Sequence, residues 1–504
     1  MTPGPRDFAL NKSPRAKVGF HMKLVKPFSL GFALILSIAL AGCGPGSAGG
    51  DDDDTMPNDG GTTKIDGSNP NCTGAGCAQN CPAGKTTQII GQVFTPKGDV
   101  PVPVARVYVA KSKNEFPANV ACEVCSSPAD PAWVSVLTDV NGRFTLDNVP
   151  VPTGGGPVEL AIQKGRFRRY FTITINDCEA NDLTTQTGLA KLTLPKNRSE
   201  GNLPKIAIAT GDYDAMECVM GPNGFGLDAT SFDRYDNLTH TFDDGLGGTD
   251  TIMGGTAGTL GNIKALIQDK AKLLTYNILF INCSGDELEK MYATDASLKS
   301  NMEEYVRSGG RLYVTDWSYD WIEQVPQFAK YITFQGGAQS DTPETNSAAK
   351  VGVVPMGDSV NGKVMQPKLL DWLVAIETQL GANSVVNPKP DQVNITHWLV
   401  QWVPMIGILP LANGVGTKLW VEDAAAKSGL QSRPLTVSFD YNMCGRVLYT
   451  SYHTLGRPDP DGDGFLTPLT WREWPNYCSS MPLSAQERIL EYLILEVSDC
   501  IQIG

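Results

Sequence analysis

The side chains best suited to chemistry follow hydrophobic segments of the chain instead of lying within them. Cys283 comes directly after the apolar segment 278–281, and His453 follows the segment 446–450. Parallel strands end at one common edge of a sheet, so both side chains are predicted to lie at that edge. A thiol beside an imidazole is suited to nucleophilic attack, which makes Cys283 and His453 a candidate hydrolytic dyad. The alternative is that Cys283 is simply buried or joined in a disulfide, for example to Cys218.

Two further polar residues follow a neighbouring apolar segment. Asp316 and Ser318 come directly after residues 311–315, which the pattern predicts to be a central strand. They are candidates for lining a polar cleft at the same edge, and an ordinary strand-end cap is the alternative. A metal bound at this edge is a further route to hydrolysis.

A calcium loop is the sharpest local motif. Asp459, Asp461 and Asp463 place oxygen ligands at alternate positions, a glycine stands sixth, and Phe465 offers a backbone carbonyl. The twelfth position holds Thr470 where such loops have a bidentate glutamate. The segment is therefore interpreted either as a Ca²⁺ site or as a solvated acidic turn.

The N-terminal segment indicates export. Residues 22–43 (MKLVKPFSLGFALILSIALAGC) hold two lysines, an apolar stretch too short to span a bilayer comfortably, and small residues before Cys43. This resembles a bacterial lipoprotein signal, which implies Met22 as the true start, residues 1–43 as the leader and Cys43 as the lipidated residue. The resemblance also implies a lipid anchor in the cell envelope. Gly44 after the cysteine favours the outer membrane.

Composition argues against nucleic acid as a partner. The chain has 41 Lys and Arg against 54 Asp and Glu, a net charge of −13. A nucleic-acid surface needs clustered basic residues. The densest basic cluster, residues 164–169, is interpreted as a solvated strand or turn.

The cysteines are predicted to serve mainly in disulfides. The chain has 12 cysteines, and an exported protein lies where disulfides form. Zinc is the alternative for the clusters at 72–81 and 122–125, but no histidine accompanies either of them.

The first half of the exported chain divides into a spacer and a β-rich region. Residues 44–85 are rich in Gly, Asp and Ser and are predicted to be a flexible linker. Residues 86–198 show short predicted strands separated by turn-forming residues, including Asn141-Gly142, which is typical of a hairpin turn. They are predicted to form a small antiparallel β-sandwich.

Three short sequence segments in this region resemble the carboxypeptidase regulatory-like domain, a transthyretin-like sandwich. They are IGQV at 90–93, PVARV at 103–107 and TDVNGRFTL at 138–146. The resemblance implies a stalk or binding module.

Residues 199–504 change to alternating strands and helices. Apolar segments at 205–209, 277–281, 311–315 and 446–450 are predicted strands, and residues 262–274, 298–308 and 484–497 are predicted helices. This alternation predicts an α/β domain with a mainly parallel sheet flanked by helices. The whole chain is thus predicted to be multidomain.

This half resembles the class I glutamine amidotransferase-like fold and, within it, the trehalose-utilisation-like branch. The matching residues are ATGDY at 209–213, YNILF at 276–280, YVRSGGRL at 305–312 and CGRVLYTSYH at 444–453. Active members carry a cysteine on a turn after a central strand. Here that turn begins with Asp316, and the usual nucleophile is absent.

Three functions remain open from the sequence, the third being a purely structural surface protein without a well-formed pocket at the carboxyl edge of the sheet. The first is an envelope-anchored binding or scaffold module for an extracytoplasmic glycan or envelope protein, in which aromatic residues such as Trp317 and Trp321 stack on sugar or form core. The second is an extracytoplasmic hydrolase that uses Cys283, His453 or a bound metal.

Overall fold

A computed structural model describes most of the chain from residue 81 onwards. The described residues are 81–123, 130–211, 214–236, 240–243, 249–252, 260–283, 295–334, 352–353, 359–380, 390–396, 401–423, 433–454, 474–476, 478 and 482–499. The predicted leader with Cys43, nearly all of the predicted linker and the predicted calcium loop with Asp459, Asp461, Asp463 and Phe465 lie outside them. The domain boundaries at 43, 85 and 198 stay predictions.

Seven strands occupy the region predicted to be a sandwich. They are β1 Gln88–Gln92, β2 Arg106–Ala110, β3 Ala132–Leu137, β4 Arg143–Leu146, β5 Gly156–Lys164, β6 Phe167–Ile175 and β7 Ala180–Asp182. They form a three-stranded sheet in the order β4-β1-β7 and a four-stranded sheet in the order β3-β2-β5-β6. All pairs are antiparallel except β1 with β7.

The Asn141-Gly142 turn forms, but it does not close a hairpin. Gly142 has a φ of 69°, and the Asp139 carboxylate accepts the backbone N–H groups of Asn141 and Arg143. The strands on either side pair with other strands, β3 with β2 and β4 with β1. The turn therefore carries the chain from one sheet to the other, and the hairpin prediction was wrong.

Fifteen further strands are described after residue 200. They are β8 Ile206–Thr210, β9 Asp233–Asp236, β10 His240–Asp243, β11 Thr249–Ile252, β12 Ile278–Ile281, β13 Arg311–Thr315, β14 Ile332–Phe334, β15 Gly352–Val353, β16 Val360–Val364, β17 Gln392–Ile395, β18 Gln401–Trp402, β19 Met405–Ile408, β20 Thr417–Asp423, β21 Pro434–Tyr441 and β22 Gly445–Thr450.

Eight α-helices are described in the same region. They are α1 Met216–Met220, α2 Ile263–Gln268, α3 Lys270–Leu273, α4 Ser297–Arg307, α5 Asp320–Glu323, α6 Pro326–Ala329, α7 Pro367–Leu380 and α8 Ala485–Val497. Helix α8 begins after Ser484, whose side chain forms a capping box with Glu487. None of the described helices is long and apolar enough to cross a membrane.

The largest sheet is mixed. Its nine strands follow the order β17-β16-β20-β21-β22-β13-β12-β8-β9. Strands β22, β13, β12, β8 and β9 are parallel neighbours, whereas the pairs from β17 to β22 are antiparallel. The expectation of a mainly parallel sheet was therefore wrong for half of its strand pairs. Strands β8, β12 and β13 are buried at every residue, which is typical of parallel strands covered on both faces.

Two hydrophobic clusters lie against alternate residues of these strands. Ile208 and Phe280 belong to a cluster that also contains residues of the small sheets, α7 and α8. Ala209 and Ile281 belong to a second cluster with residues of α2, α4 and α5. The period-two alternation of a strand places successive side chains on opposite faces, so the sheet is held from both sides.

The basic cluster at 164–169 is buried, contrary to the expectation of a solvated strand. Lys164 and Arg168 are each 1% exposed. Arg168 pairs with the Asp130 carboxylate at 2.8 Å, and Lys164 pairs with Asp499 at 2.7 Å. The charges are thus neutralised within the molecule, as buried charges must be.

The prediction of disulfides is confirmed for six of the seven described cysteines. Three bonds join Cys81 to Cys178, Cys122 to Cys444 and Cys218 to Cys478. The second of these ties the segment between β2 and β3 to the turn between β21 and β22.

Candidate functional site

Four strand ends of the mixed sheet bring polar residues to one edge. Asp214 follows β8, Cys283 follows β12, Asp316 follows β13 and His453 follows β22. These four strands are parallel, so the residues after them share the carboxyl edge. Gly211 permits a close approach there, since a Cβ on it would meet the carbonyl oxygen of Cys283 at 2.2 Å.

Cys283 is a buried thiol and not part of a disulfide. It is 0% exposed, and among the described cysteines it alone is not disulfide-bonded. Of the two alternatives to a dyad, burial is what the structure shows, and a disulfide to Cys218 is wrong because Cys218 bonds to Cys478. The Cys283 Sγ lies 4.0 Å from Oδ2 of Asp316.

Asp316 lies at a strained turn between strand and helix. Its φ is 38°, in the left-handed region that a residue with a side chain seldom adopts. A 3₁₀ turn over Asp316–Ser318 and then α5 follow directly. Backbone strain of this kind concentrates at functional sites, and a strand-to-helix turn is also where nucleophile elbows place their reactive residue.

The two carboxylate oxygens of Asp316 face different partners. Oδ1 accepts the backbone N–H of Val403 at 2.6 Å, while Oδ2 lies near Cys283 and His453. Burial raises the pKa of the Asp316 carboxyl above its usual range, and the neighbouring imidazole only partly opposes that effect.

His453 is buried beside this carboxylate. It is 3% exposed, and its Nε2 lies 3.1 Å from Oδ2 of Asp316. Neither ring nitrogen makes a well-oriented hydrogen bond to another described residue. Although burial alone would lower it, the Asp316 carboxylate raises the pKa of His453 above its ordinary value.

The three side chains form a triangle instead of a linear relay. The Cys283 sulfur, one Asp316 oxygen and one His453 nitrogen all lie within 4.8 Å of one another. In a catalytic triad the imidazole stands between nucleophile and carboxylate, which contact opposite ring nitrogens. Here the carboxylate oxygen contacts both other groups, so three potential donor atoms converge on one small volume.

Asp214 holds the strand ends together and was missed from the sequence. Its Oδ2 accepts the Thr315 hydroxyl at 2.5 Å, and its Oδ1 accepts the Thr454 backbone N–H at 2.8 Å and the Thr454 hydroxyl. Thr315 precedes Asp316 and Thr454 follows His453. The one signal in the sequence was its position a few residues after an apolar strand.

Ser318 is turned away from the triangle. Its hydroxyl donates to the Asn282 carbonyl at 2.8 Å, so it fixes the residue that precedes Cys283. Two of the nearby aromatic residues are core, since Trp321 is 0% and Tyr319 is 1% exposed, while Trp317 is partly buried and packs against the same hydrophobic cluster. A small cavity lined by Asn277 and Arg311 lies at the opposite, amino edge of the sheet.

Comparisons with known proteins leave the family open. No protein-family model and no curated protein sequence match the chain. Among solved structures it is similar to the cytoplasmic protein STM3548 from Salmonella typhimurium, with 11% identity, 49% of this chain and 87% of that chain covered, and a TM-score of 0.26. It is also similar to 3-chlorocatechol 1,2-dioxygenase from Rhodococcus opacus 1CP, with 17% identity, 25% of this chain and 59% of that chain covered, and a TM-score of 0.12. At these TM-scores neither similarity supports a conclusion about function.

Proposed function

We propose that this protein is an envelope-tethered hydrolase whose reaction centre consists of Cys283, Asp316 and His453. The observation that carries the proposal is the convergence of their three reactive atoms within 4.8 Å at the carboxyl ends of parallel strands, where sheets of this kind bind ligands. In the proposal, an amidotransferase-like domain supplies this edge, a sandwich of the carboxypeptidase regulatory type supports it, and Cys43 carries the lipid anchor.

The triangle favours water over the thiol as the attacking group. A thiol nucleophile needs the imidazole between itself and the carboxylate, and Asp316 instead contacts both partners. The three side chains are suited to holding one water and taking up its proton. The water oxygen bonds to the carbonyl carbon of an ester or amide, the bond to the alcohol or amine breaks, and the leaving group takes the proton.

One observation favours a second function, a non-catalytic binding or scaffold module. All three side chains are at most 3% exposed, and a reaction centre has to admit its substrate. In that function the partner is an extracytoplasmic glycan or envelope protein. The triangle then has only a structural role, which is to stabilise the edge of the sheet.

Ester hydrolysis by matched variants separates the two functions. The full-length chain in detergent is assayed with p-nitrophenyl acetate and butyrate beside Cys283→Ala, Asp316→Asn and His453→Gln. The control is Tyr313→Phe, because Tyr313 is buried in the same sheet and its hydroxyl contacts only Thr450 among the hydrogen bonds described. We expect each triangle variant to lose at least roughly 100-fold in kcat/KM while the control stays near wild type.

Two results would contradict the hydrolase. One is a wild-type rate equal to the buffer rate on both esters, and the other is equal rates in wild type and triangle variants. Either result leaves the binding module as the better account.

A further inference from the structure

The converging atoms of Cys283, Asp316 and His453 are a sulfur, an oxygen and a nitrogen. We infer that they are ligands of one Zn²⁺ ion, with a water in the fourth position. The inference deepens the proposed hydrolase and rests on it for the role of that water, but the metal site itself stands on the geometry. Catalytic zinc sites commonly have three protein ligands and one open position.

The observed separations fit a tetrahedral zinc after small adjustments. Typical bond lengths place a thiolate sulfur and a carboxylate oxygen about 3.5 Å apart, and an imidazole nitrogen and that oxygen about 3.3 Å apart. The corresponding distances here are 4.0 Å between Sγ and Oδ2 and 3.1 Å between Nε2 and Oδ2. The third separation, between the sulfur and an imidazole nitrogen, lies within 4.8 Å and would be about 3.6 Å around tetrahedral zinc, so side-chain rotations that bring these two atoms together complete the set around an ion.

The donor set excludes the common hard divalent cations and is one that zinc uses. Ca²⁺ and Mg²⁺ take oxygen ligands almost exclusively, so a thiolate at the centre excludes them. Sulfur, nitrogen and carboxylate oxygen together are ordinary zinc ligands. The calcium loop predicted at 459–465 has a different chemistry and is a separate question.

Charge balance also favours a divalent ion at this position. On metal binding, Cys283 and Asp316 would ligate as thiolate and carboxylate, two negative charges at residues that are both 0% exposed. Uncompensated charges are costly at such depth, and a doubly charged cation neutralises them. When the zinc–sulfur bond forms, the thiol proton leaves to solvent and no electron is transferred.

His453 provides an independent indication of a ligand. It is 3% exposed, and neither ring nitrogen makes a well-oriented hydrogen bond among the described residues, although Nε2 lies 3.1 Å from Oδ2 of Asp316. Buried polar atoms are nearly always satisfied. An ion between Nε2 and the Asp316 carboxylate satisfies the nitrogen that faces the triangle.

The chemistry of Cys283 agrees with this assignment. The other described cysteines are all disulfide-bonded, whereas Cys283 keeps its thiol. A zinc-bound thiolate is withheld from disulfide exchange because its lone pair is committed to the metal. A metal site thus explains a retained thiol in a chain that otherwise forms disulfides.

Metal analysis of the purified chain tests the inference. The full-length protein is purified without chelators, equilibrated with a small excess of ZnCl₂, separated by gel filtration and analysed for metals by mass spectrometry. We expect about one tightly held zinc per chain in the wild type and in Tyr313→Phe, and a loss of at least roughly tenfold in occupancy in Cys283→Ala and His453→Gln. Equal zinc in wild type and both ligand variants overturns the site, as does a wild type without zinc.

Cobalt replacement gives a readout that does not depend on activity or on other zinc sites. A cobalt–thiolate bond produces a charge-transfer absorption in the near ultraviolet. We expect this band in Co²⁺-loaded wild type and Tyr313→Phe, and its disappearance in Cys283→Ala. A band of equal strength in Cys283→Ala shows that another cysteine binds the metal and overturns the assignment.

The metal site and the hydrolase fail in different ways. If the triangle binds zinc but the protein does not hydrolyse esters, the metal site is supported and the proposed hydrolase is contradicted. If a zinc-free protein hydrolyses esters and this activity depends on the triangle, the hydrolase is supported and the zinc site is contradicted.

Discussion

At the scale of single residues, the arrangement around Asp316 decides what the protein can do. Its backbone is strained, with a φ of 38°, and its two oxygens are held in separate directions by Val403 on one side and the triangle on the other. These contacts and the backbone conformation restrict how far the Asp316 carboxylate can move. Preorganisation of this kind is what reaction centres and metal sites require.

Asp214 is predicted to be a positioning residue for that arrangement. Asp214→Ala removes the acceptor for Thr315 and for Thr454, which flank Asp316 and His453. Because charged acceptors are worth about 1.5–3 kcal/mol for each buried donor, we expect the free energy of unfolding to fall by at least about 3 kcal/mol. Urea denaturation under non-reducing conditions measures it.

The matched control for this variant is again Tyr313→Phe. It removes one neutral hydrogen bond to Thr450 and should cost about 1 kcal/mol. An Asp214→Ala chain as stable as this control would show that the strand ends are held by something else.

The sequence placed the reactive residues but not their partners. Cys283, Asp316 and His453 follow apolar segments, so their common edge followed from strand direction alone. The role of Asp214 depends on which loops meet, and the thiol state of Cys283 depends on Cys218 lying beside Cys478. Cys218 and Cys478 are 260 residues apart and Asp214 and Thr454 are 240 apart, and no local pattern records such contacts.

At the scale of elements, the antiparallel half of the mixed sheet supports the parallel half. Strand β22 pairs with β13 on one side and with β21 on the other, so His453 follows a strand bonded along both edges. Arg446 in β22 binds the Asp440 carboxylate of β21 at 2.5 and 3.0 Å and also donates to the Glu496 carbonyl of α8 at 2.7 Å. This side chain joins the two strands to the last helix.

The Asp440–Arg446 pair gives a pH-dependent prediction. Although burial alone would raise it, Arg446 lowers the pKa of the Asp440 carboxyl below its ordinary value of 3.8. A depressed pKa contributes stability that is present above pH 3.8 and is lost as the pH falls through the folded-state value. We expect wild type to exceed Asp440→Asn by about 1 kcal/mol at neutral pH and the difference to vanish in strong acid.

Urea denaturation of both proteins across acidic and neutral pH measures that difference. Tyr313→Phe serves as the control, because the interaction it removes does not change with acid. A difference between wild type and Asp440→Asn that is constant with pH would contradict the assigned role of the pair.

Individual elements were predicted better than their assembly. The helix predicted at 298–308 is α4 at Ser297–Arg307, and the helix predicted at 484–497 is α8 at Ala485–Val497. Amphipathic spacing and the Ser484 cap are local signals. The helix predicted at 262–274 divides at Asp269 into α2 and α3, and the antiparallel strands β16, β17, β20 and β21 were not predicted.

At the scale of the whole molecule, the proposed reaction centre lies at a sheet edge of a chain for which a lipid tether is also proposed. Disulfides bind distant parts of the described chain, since Cys122 and Cys444 are 322 residues apart. Such bonds persist in oxidising compartments, which agrees with the exported state that residues 22–43 predict. The tether itself rests on the sequence around Cys43.

Lipidation of Cys43 makes a direct prediction about location. In Cys43→Ser the acceptor thiol is gone, so the protein should move from the membrane fraction to the soluble fraction or keep an unprocessed leader, because two or more acyl chains are what hold such proteins stably. Fractionation and metabolic labelling with palmitate measure this. Unchanged labelling of Cys43→Ser would contradict the predicted anchor.

The most direct test of the central claim is a double-mutant cycle on ester hydrolysis with Cys283→Ala, His453→Gln and the variant that combines them. Residues that act as one unit are strongly non-additive. If the triangle is a single centre, the combined variant should have about the same kcat/KM as the less active of the two single variants. Losses that multiply in the combined variant, or single variants as active as wild type, would contradict the claim that Cys283, Asp316 and His453 form one reaction centre.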